Sequence, residues 1–329
     1  MTMNRRQTLL ENWLAEQCGF SDFRLEPASE DASFRRYFRV HLADGSTRIV
    51  MDAPPDQEDC GPFLAVAEQL SDAGVHAPEV HAHDVEQGFV LLEDLGDRSY
   101  LSALDEESVE RLYGDAMGAL MSMQACIDPR GLPDYDRALL LSEMELFREW
   151  LLEVHLSTAL TGDESRMLDE SFALLADSAL EQPQVFVHRD YHSRNLMAEV
   201  SPNPGVLDFQ DAVSGPVTYD VVSLLRDCYV KWPKQQVLEW AWGYFQLAVH
   251  SGVMREDHEE DFMRWFDLMG VQRHLKAAGI FARLYHRDCK PGYLRDIPRT
   301  LEYVVEVGRE YPELEPLAAF VGEKVLPAL

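Results

Sequence analysis

One short segment constrains this chain more than any other: His188-Arg189-Asp190-Tyr191-His192-Ser193-Arg194-Asn195, followed after an apolar approach, Gly205-Val206-Leu207, by Asp208-Phe209-Gln210-Asp211. The apolar runs Gln184-Val185-Phe186-Val187 and Val206-Leu207 flank it, so two short buried strands deliver an Asp, an Asn and a second Asp. These residue types suit phosphoryl transfer. A carboxylate at Asp190 can take the proton of an attacking hydroxyl. The amide of Asn195 and the carboxylate of Asp208 offer the hard oxygens that Mg²⁺ prefers, with phosphates and waters completing its shell. Neither a thiolate nor an imidazole is needed. The plain alternative is a polar loop in which Asp190 and Asp208 are turn residues, but it gives no reason for so many specified residues at fixed offsets.

Length and composition set the frame. At 329 residues the chain can build two lobes with separate cores, and 46% apolar with 26% charged residues is ordinary for a globular protein. Its five cysteines, Cys18, Cys60, Cys126, Cys228 and Cys289, are scattered and form no C-x-x-C pair. They suggest neither a disulfide framework nor a zinc site, and fit a reducing cytoplasm. Near the N-terminus Arg5 and Arg6 precede apolar positions that Glu11 and Glu16 interrupt, leaving no signal-peptide core, and no run approaches a membrane span. Asp and Glu number 58 against 29 Lys and Arg, and the net charge of −29 repels nucleic acid and anionic membranes. The same field would attract a cationic substrate, or it would serve only as a soluble, salt-adapted surface. A monomer is expected.

Along the chain, residues 1 to 20 read as an amphipathic helix, with Leu9, Leu10, Trp13, Leu14 and Cys18 at helical spacing. Arg36 to Leu42 and Arg48 to Met51, joined at Asp44-Gly45, read as a β-hairpin with a two-residue turn. Phe63 to Ala73 reads as a helix stopped at Gly74, and Glu79 to Ala82 and Phe89 to Leu92 as two further short strands. From Ser99 onward the periodicity is helical except between Gln184 and Asp208, so a boundary falls near Gly96.

An Asp with an Asn five positions on and a strand-borne Asp beyond resembles the kinase catalytic loop. With its second histidine, His192, and with Val217-Thr218-Tyr219-Asp220 downstream, the chain is similar over nearly its whole length to the aminoglycoside-phosphotransferase-like branch of the protein-kinase-like fold. Within that branch, Ala32 to Phe38, Val50 to Pro55, Gly88 to Gly96 and His188 to Asn195 resemble bacterial anomeric sugar kinases, which phosphorylate N-acetylmuramate and N-acetylglucosamine at C1 in cell-wall recycling. The resemblance implies an α+β fold of two lobes. A small antiparallel-sheet N-lobe, residues 1–96, would bind nucleotide, and a larger, mostly helical C-lobe, residues 97–329, would carry the catalytic loop and the substrate-binding helices. It also implies ATP and Mg²⁺ as cofactors and a small sugar as partner. Asp190 would be the base, Asn195 and Asp208 the metal ligands, and His188 and Asp220 structural supports. The connector Leu91 to Leu95 would meet adenine through its backbone at Glu93 and Leu95. Two other readings stay open: a relative acting on an aminoglycoside, choline or a homoserine-like alcohol, and a nucleotide-binding pseudokinase.

Two departures from the general kinase pattern matter. Met51 stands where the third strand usually offers a phosphate-binding Lys, and Phe63 stands where its Glu partner would be. Replacing both members by apolar residues leaves no uncompensated charge and points to a rebuilt site. The glycine-rich loop is also missing, its place taken by Ser29 to Tyr37. Ser33 together with Arg35 or Arg36 is then the candidate phosphate contact, unless the arginines are ordinary edge-strand charges.

Three charged clusters remain. His76, His81 and His83 lack a further fixed ligand for a metal, and Asp257 to Asp261 reads as a solvated helix start, not a calcium loop. In an acidic chain, Arg273, Lys276, Arg283 and Arg287 recur at offsets that place them on one helical face. They form either an anion site for a substrate carboxylate or phosphate, or a basic stripe that pairs with the protein's own acids.

Overall fold

The computed structural model describes residues 3–30 and 34–329. The chain divides into two compact units: residues up to Arg98 with Met197–Asp211, and Ser99–Leu196 with Ala212–Leu329. The sequence divides it once, near Gly96. Contacts additionally place the segment around Asp208 with the first unit.

The first unit is built on a five-stranded antiparallel sheet: β1 (Phe23–Glu30), β2 (Arg36–Leu42), β3 (Thr47–Asp52), β4 (Val80–Asp84) and β5 (Phe89–Glu93), in the order β1-β2-β3-β5-β4. Helix α1 (Met3–Glu16) lays Leu10, Trp13 and Leu14 on Val40, Val50, Phe89 and Leu91 of this sheet. Arg6 lies on the same helical face, and Asp52 accounts for its burial: Arg6 Nε donates to the Asp52 carboxylate at 2.7 Å, and the guanidinium lies 4.5 Å over the Phe89 ring. The expected hairpin forms in register, but its connection is longer than two residues. Leu42 N–H donates to the Ser46 carbonyl, and the Asp44 carboxylate accepts from Ser46 N–H at 2.9 Å. Strand β1 was not anticipated, because Pro27 interrupts its pattern. The fold accommodates that residue at a sheet edge, where the register shifts between Pro27 and Ser29. Helix α2 (Gly61–Asp72) ends where the expected Phe63 helix should.

The second unit is mostly helical: α3 (Tyr100–Ala103), α4 (Val109–Cys126), α5 (Arg137–Leu146), α6 (Gly162–Leu180), α7 (Tyr219–Leu225), α8 (Lys234–His250), α9 (Glu259–His286), α10 (Ile297–Gly308) and α11 (Glu315–Phe320). An antiparallel pair, β6 (Gln184–Val187) with β9 (Val213–Pro216), carries the chain into the His188 segment; of the two-residue strands between them, β7 (Leu196–Met197) lies at the unit boundary and β8 (Gly205–Val206) belongs to the first unit. Helix α9 is 28 residues long and buried along most of its length, with the acids Glu259, Glu260 and Asp261 in its first turn. Gly279 lets it approach α5 closely: a Cβ there would lie 2.3 Å from the Leu146 carbonyl carbon. One turn earlier on each helix stand Lys276 and Glu143. No helix among the described residues is long and apolar enough to cross a membrane.

Candidate active site

The His188 loop is clamped at both ends by buried carboxylates. Asp220, in the first turn of α7, accepts the backbone N–H of His188 at 2.6 Å and of Arg189 at 3.0 Å. Asp227, just beyond α7, accepts Ser193 N–H at 2.9 Å and Tyr229 N–H at 2.8 Å. Burial pushes Asp220 up to about 7, against the pull of its two N–H donors. Between the clamps Arg189 adopts a left-handed backbone conformation, φ 76°, uncommon for a side chain with a Cβ. Asp190 is held by its own backbone. Its N–H donates to His188 Nδ1 at 3.2 Å, and its carbonyl accepts from Asn195 Nδ2 at 3.0 Å. Burial opposes ionisation of Asp190, but the neighbouring cations, Lys276 first and Arg273 with it, outweigh burial and hold its pKa below the usual carboxylate value. The group is therefore an ionised acceptor at neutral pH. His192 packs edge-on to Tyr229, and burial lowers its pKa.

The four α9 cations have separate surroundings. Lys276 Nζ lies 3.0 Å from the Glu143 carboxylate and donates to the Tyr219 hydroxyl at 2.9 Å. Glu143 also receives Arg189 and the Tyr135 hydroxyl, so one buried carboxylate gathers three donors. Burial would push Glu143 up, but Lys276 and Arg189 more than offset it and its pKa is lowered. Arg273 is only 5% exposed; Nη1 contacts the Cys228 thiol at 3.6 Å and buried Nε has no partner among the described residues. Arg283 is half-buried, and desolvation lowers its pKa, with Arg287 adding to the effect. Arg287 falls beyond the last helical residue and pairs with its neighbour Asp288.

In the first unit Asp208 also has a left-handed backbone, φ 64°, and its carboxylate accepts from Gln210 Nε2 at 2.9 Å. Phe209 packs on Phe63 with ring centroids 4.8 Å apart. Met51 is 1% exposed on β3, opposite Tyr37 and Val90. The apolar replacement read from the sequence is thus a packed one. Arg36 stands directly across from Asp52 and pairs with it, the same carboxylate that holds Arg6. Ser33 lies outside the described residues, and Arg35 is partly buried beside that segment. At the connector, Glu93 N–H donates to the Glu79 carbonyl at 2.9 Å, and the Glu93 carboxylate lies 3.2 Å from His76 Nε2, whose Nδ1 is 2.9 Å from the Pro202 carbonyl. Leu95 packs so closely on β8 that a Cβ at Gly205 would lie 2.8 Å from its Cδ1.

Sequence reasoning missed Glu143, Tyr135, Asp227 and Tyr229, which come from separate elements and carry no local motif. The one signal was Glu143 at helical spacing from Leu140 and Met144, on the buried face of α5.

A five-stranded antiparallel sheet, a helical second unit and a clamped Asp-Asn loop define a phosphotransferase of the protein-kinase-like fold. The chain belongs to the phosphotransferase enzyme family, matching it over residues 24–257. It is 51% identical over 299 residues to N-acetylmuramate/N-acetylglucosamine kinase of Pseudomonas aeruginosa, covering 91% of this chain and 88% of that protein. The same-named protein of Pseudomonas putida is 49% identical with the same coverage, and that of Neisseria meningitidis is 44% identical over 98% of this chain and 96% of its own. Among solved structures, choline kinase from Streptococcus pneumoniae has a TM-score of 0.64 at 12% identity, covering 91% of this chain and 98% of that one. The ADP-bound aminoglycoside phosphotransferase APH(2'')-Ib has a TM-score of 0.58 at 14% identity, covering 92% and 98%. At such identities these likenesses establish the fold alone.

Proposed function

We propose that the chain transfers the γ-phosphoryl group of ATP to the anomeric C1 hydroxyl of N-acetylmuramate, and to that of N-acetylglucosamine. The observation that carries this is Asp190, ionised and fixed by its own backbone, in a chain whose relatives at 44 to 51% identity bear that name. Asp190 orients the attacking hydroxyl and accepts its proton. The donor set suits Mg²⁺: Asn195, whose amide nitrogen donates to the Asp190 carbonyl, offers an amide oxygen, and Asp208 adds a carboxylate. When bound, Mg²⁺ supplies charge neutralisation to the transferring phosphates.

The connector backbone at Glu93 and Leu95 is the proposed adenine site. Ser33 and Arg35 are the proposed phosphate contacts, because Arg36 is already committed to Asp52. Of Arg273, Lys276, Arg283 and Arg287, the first two keep Asp190 ionised, Arg283 lies farther along α9 toward its C-terminus, and Arg287 lies just past the helix end. His188 and Asp220 support the loop. A sugar 1-phosphate so made would feed nucleotide-sugar synthesis in a bacterial cytoplasm, with no nucleic-acid or membrane partner required.

The test is ADP release on a panel of sugars, aminoglycosides, choline and amino alcohols, with phosphorus NMR locating the new phosphate. Turnover with the two N-acetyl sugars and an anomeric phosphate signal is the expected result; turnover confined to an aminoglycoside or an amino alcohol refutes the reading. The rebuilt phosphate site has its own test. Met51→Lys would bury an unpaired ammonium beside packed apolar neighbours, so it should lower the unfolding midpoint and leave the KM for ATP no better. A stable variant with tighter ATP binding would show that β3 has been misread.

A further inference from the structure

We propose that Arg194 reads the charge of the acceptor and so sets the preference between N-acetylmuramate and N-acetylglucosamine; this rests on the sugar-kinase reading above. Arg194 sits between His192 and Asn195 in a tight turn, in which His192 N–H donates to the Asp190 carbonyl at 3.0 Å and Asn195 N–H to the His192 carbonyl at 2.9 Å. The turn keeps residue 194 close to the reacting group. The guanidinium is held between two tyrosine rings, 4.0 Å from the centroid of Tyr229 and 5.0 Å from that of Tyr293. Phe281 of α9 packs on both rings, tilted against Tyr229 at 6.0 Å and stacked on Tyr293 at 5.6 Å, and Asp227 fixes the Tyr229 backbone.

Arg194 makes no ion pair or hydrogen bond with a carboxylate among the described residues, although the chain has twice as many acids as bases. Asp296 is within electrostatic reach, but its carboxylate makes its ion pairs with Arg299 at 3.7 Å and Arg295 at 4.0 Å. In both tyrosine contacts the guanidinium has its carbon over the ring. Its N–H donors lie in its plane and are left for a ligand, in the fork geometry that matches a carboxylate. Arg194 is half-buried, so a ligand can reach it. The other cations near Asp190 are less suited: Lys276 is committed to Glu143 and Tyr219, and Arg273 is enclosed with one nitrogen on a thiol.

The chemistry of the two sugars supplies the discrimination. N-acetylmuramate carries a lactyl carboxylate a few bonds from its anomeric carbon, where N-acetylglucosamine has a plain hydroxyl. A cation four residues beyond Asp190 on the same turn suits that spacing.

The experiment compares kcat/KM for both sugars in wild type, Arg194→Met and Arg194→Lys. Methionine keeps an apolar stem between the rings without charge, and lysine keeps charge without the fork. In Arg194→Met the ratio of N-acetylmuramate to N-acetylglucosamine activity should fall roughly ten- to hundredfold, mainly through the KM for N-acetylmuramate, and in Arg194→Lys by a smaller factor. A ratio unchanged in both variants overturns the proposal, whether activity on both sugars is kept or lost in step. If wild type releases ADP with neither sugar, the sugar-kinase reading has failed and this one with it; if wild type is active and only the ratio stays fixed, this proposal alone has failed.

Discussion

Replacing Asp190 by Asn is expected to lower kcat by about 10²- to 10⁴-fold, the usual range for removing a positioned general base, while the KM for ATP changes little. The substitution is nearly isosteric. The contacts that shape the loop here are backbone ones, Asp190 N–H to His188 and Asn195 to the Asp190 carbonyl, and they survive it. What is lost is an acceptor oxygen beside the attacking hydroxyl. In the wild-type protein neighbouring cations hold the Asp190 pKa below the ordinary carboxylate value of about 3.9, so the base itself stays ionised as pH falls from neutral toward that value, and a loss of activity nearer neutral belongs to the loop clamp Asp220, whose pKa lies at about 7. Steady-state kinetics with ATP and N-acetylmuramate check both statements. Near-normal turnover in Asp190→Asn would remove the residue from its role.

The parts of this protein legible in the sequence are those whose cause is local. The catalytic loop can be read because its residues stand at fixed offsets, and α1 and the β2–β3 hairpin because period and turn residues agree. Strand β1 could not be, since Pro27 is tolerable only at an edge, and which strand is the edge is decided by the whole sheet. The α9 cations show the limit of periodicity. Spacing places Arg273, Lys276, Arg283 and Arg287 on one face, but not which turns of that face are covered. Two of them are buried near Asp190, and the last lies past the helix end. Likewise the sequence displays Arg194 inside the loop motif, but Tyr229 and Tyr293, which give it a setting, arrive from other segments.

The charge cluster around Glu143 shows most sharply what packing adds, and it carries the second large expectation. One buried carboxylate there compensates Arg189 and Lys276. Glu143→Gln keeps the shape and removes the charge, leaving two enclosed cations in mutual repulsion, and breaking a buried ion pair from one side costs about 3–5 kcal/mol. A fall of that size in unfolding free energy by denaturant titration is the expected result. Turnover should fall as well, because Arg189 carries the strained backbone that leads into Asp190. Adding Lys276→Met to Glu143→Gln should return part of the stability, since it removes one orphaned charge, whereas additive losses would mean the residues act separately. The pH dependence has a definite sign. The folded-state pKa of Glu143 lies below its unfolded value of about 4.3, so its contribution is present above that pH and is lost as pH falls through the folded value. The gap in stability between wild type and Glu143→Gln should therefore be full at neutral pH and close in acid. A gap that persisted unchanged into strong acid would place the stabilisation in packing, not in charge.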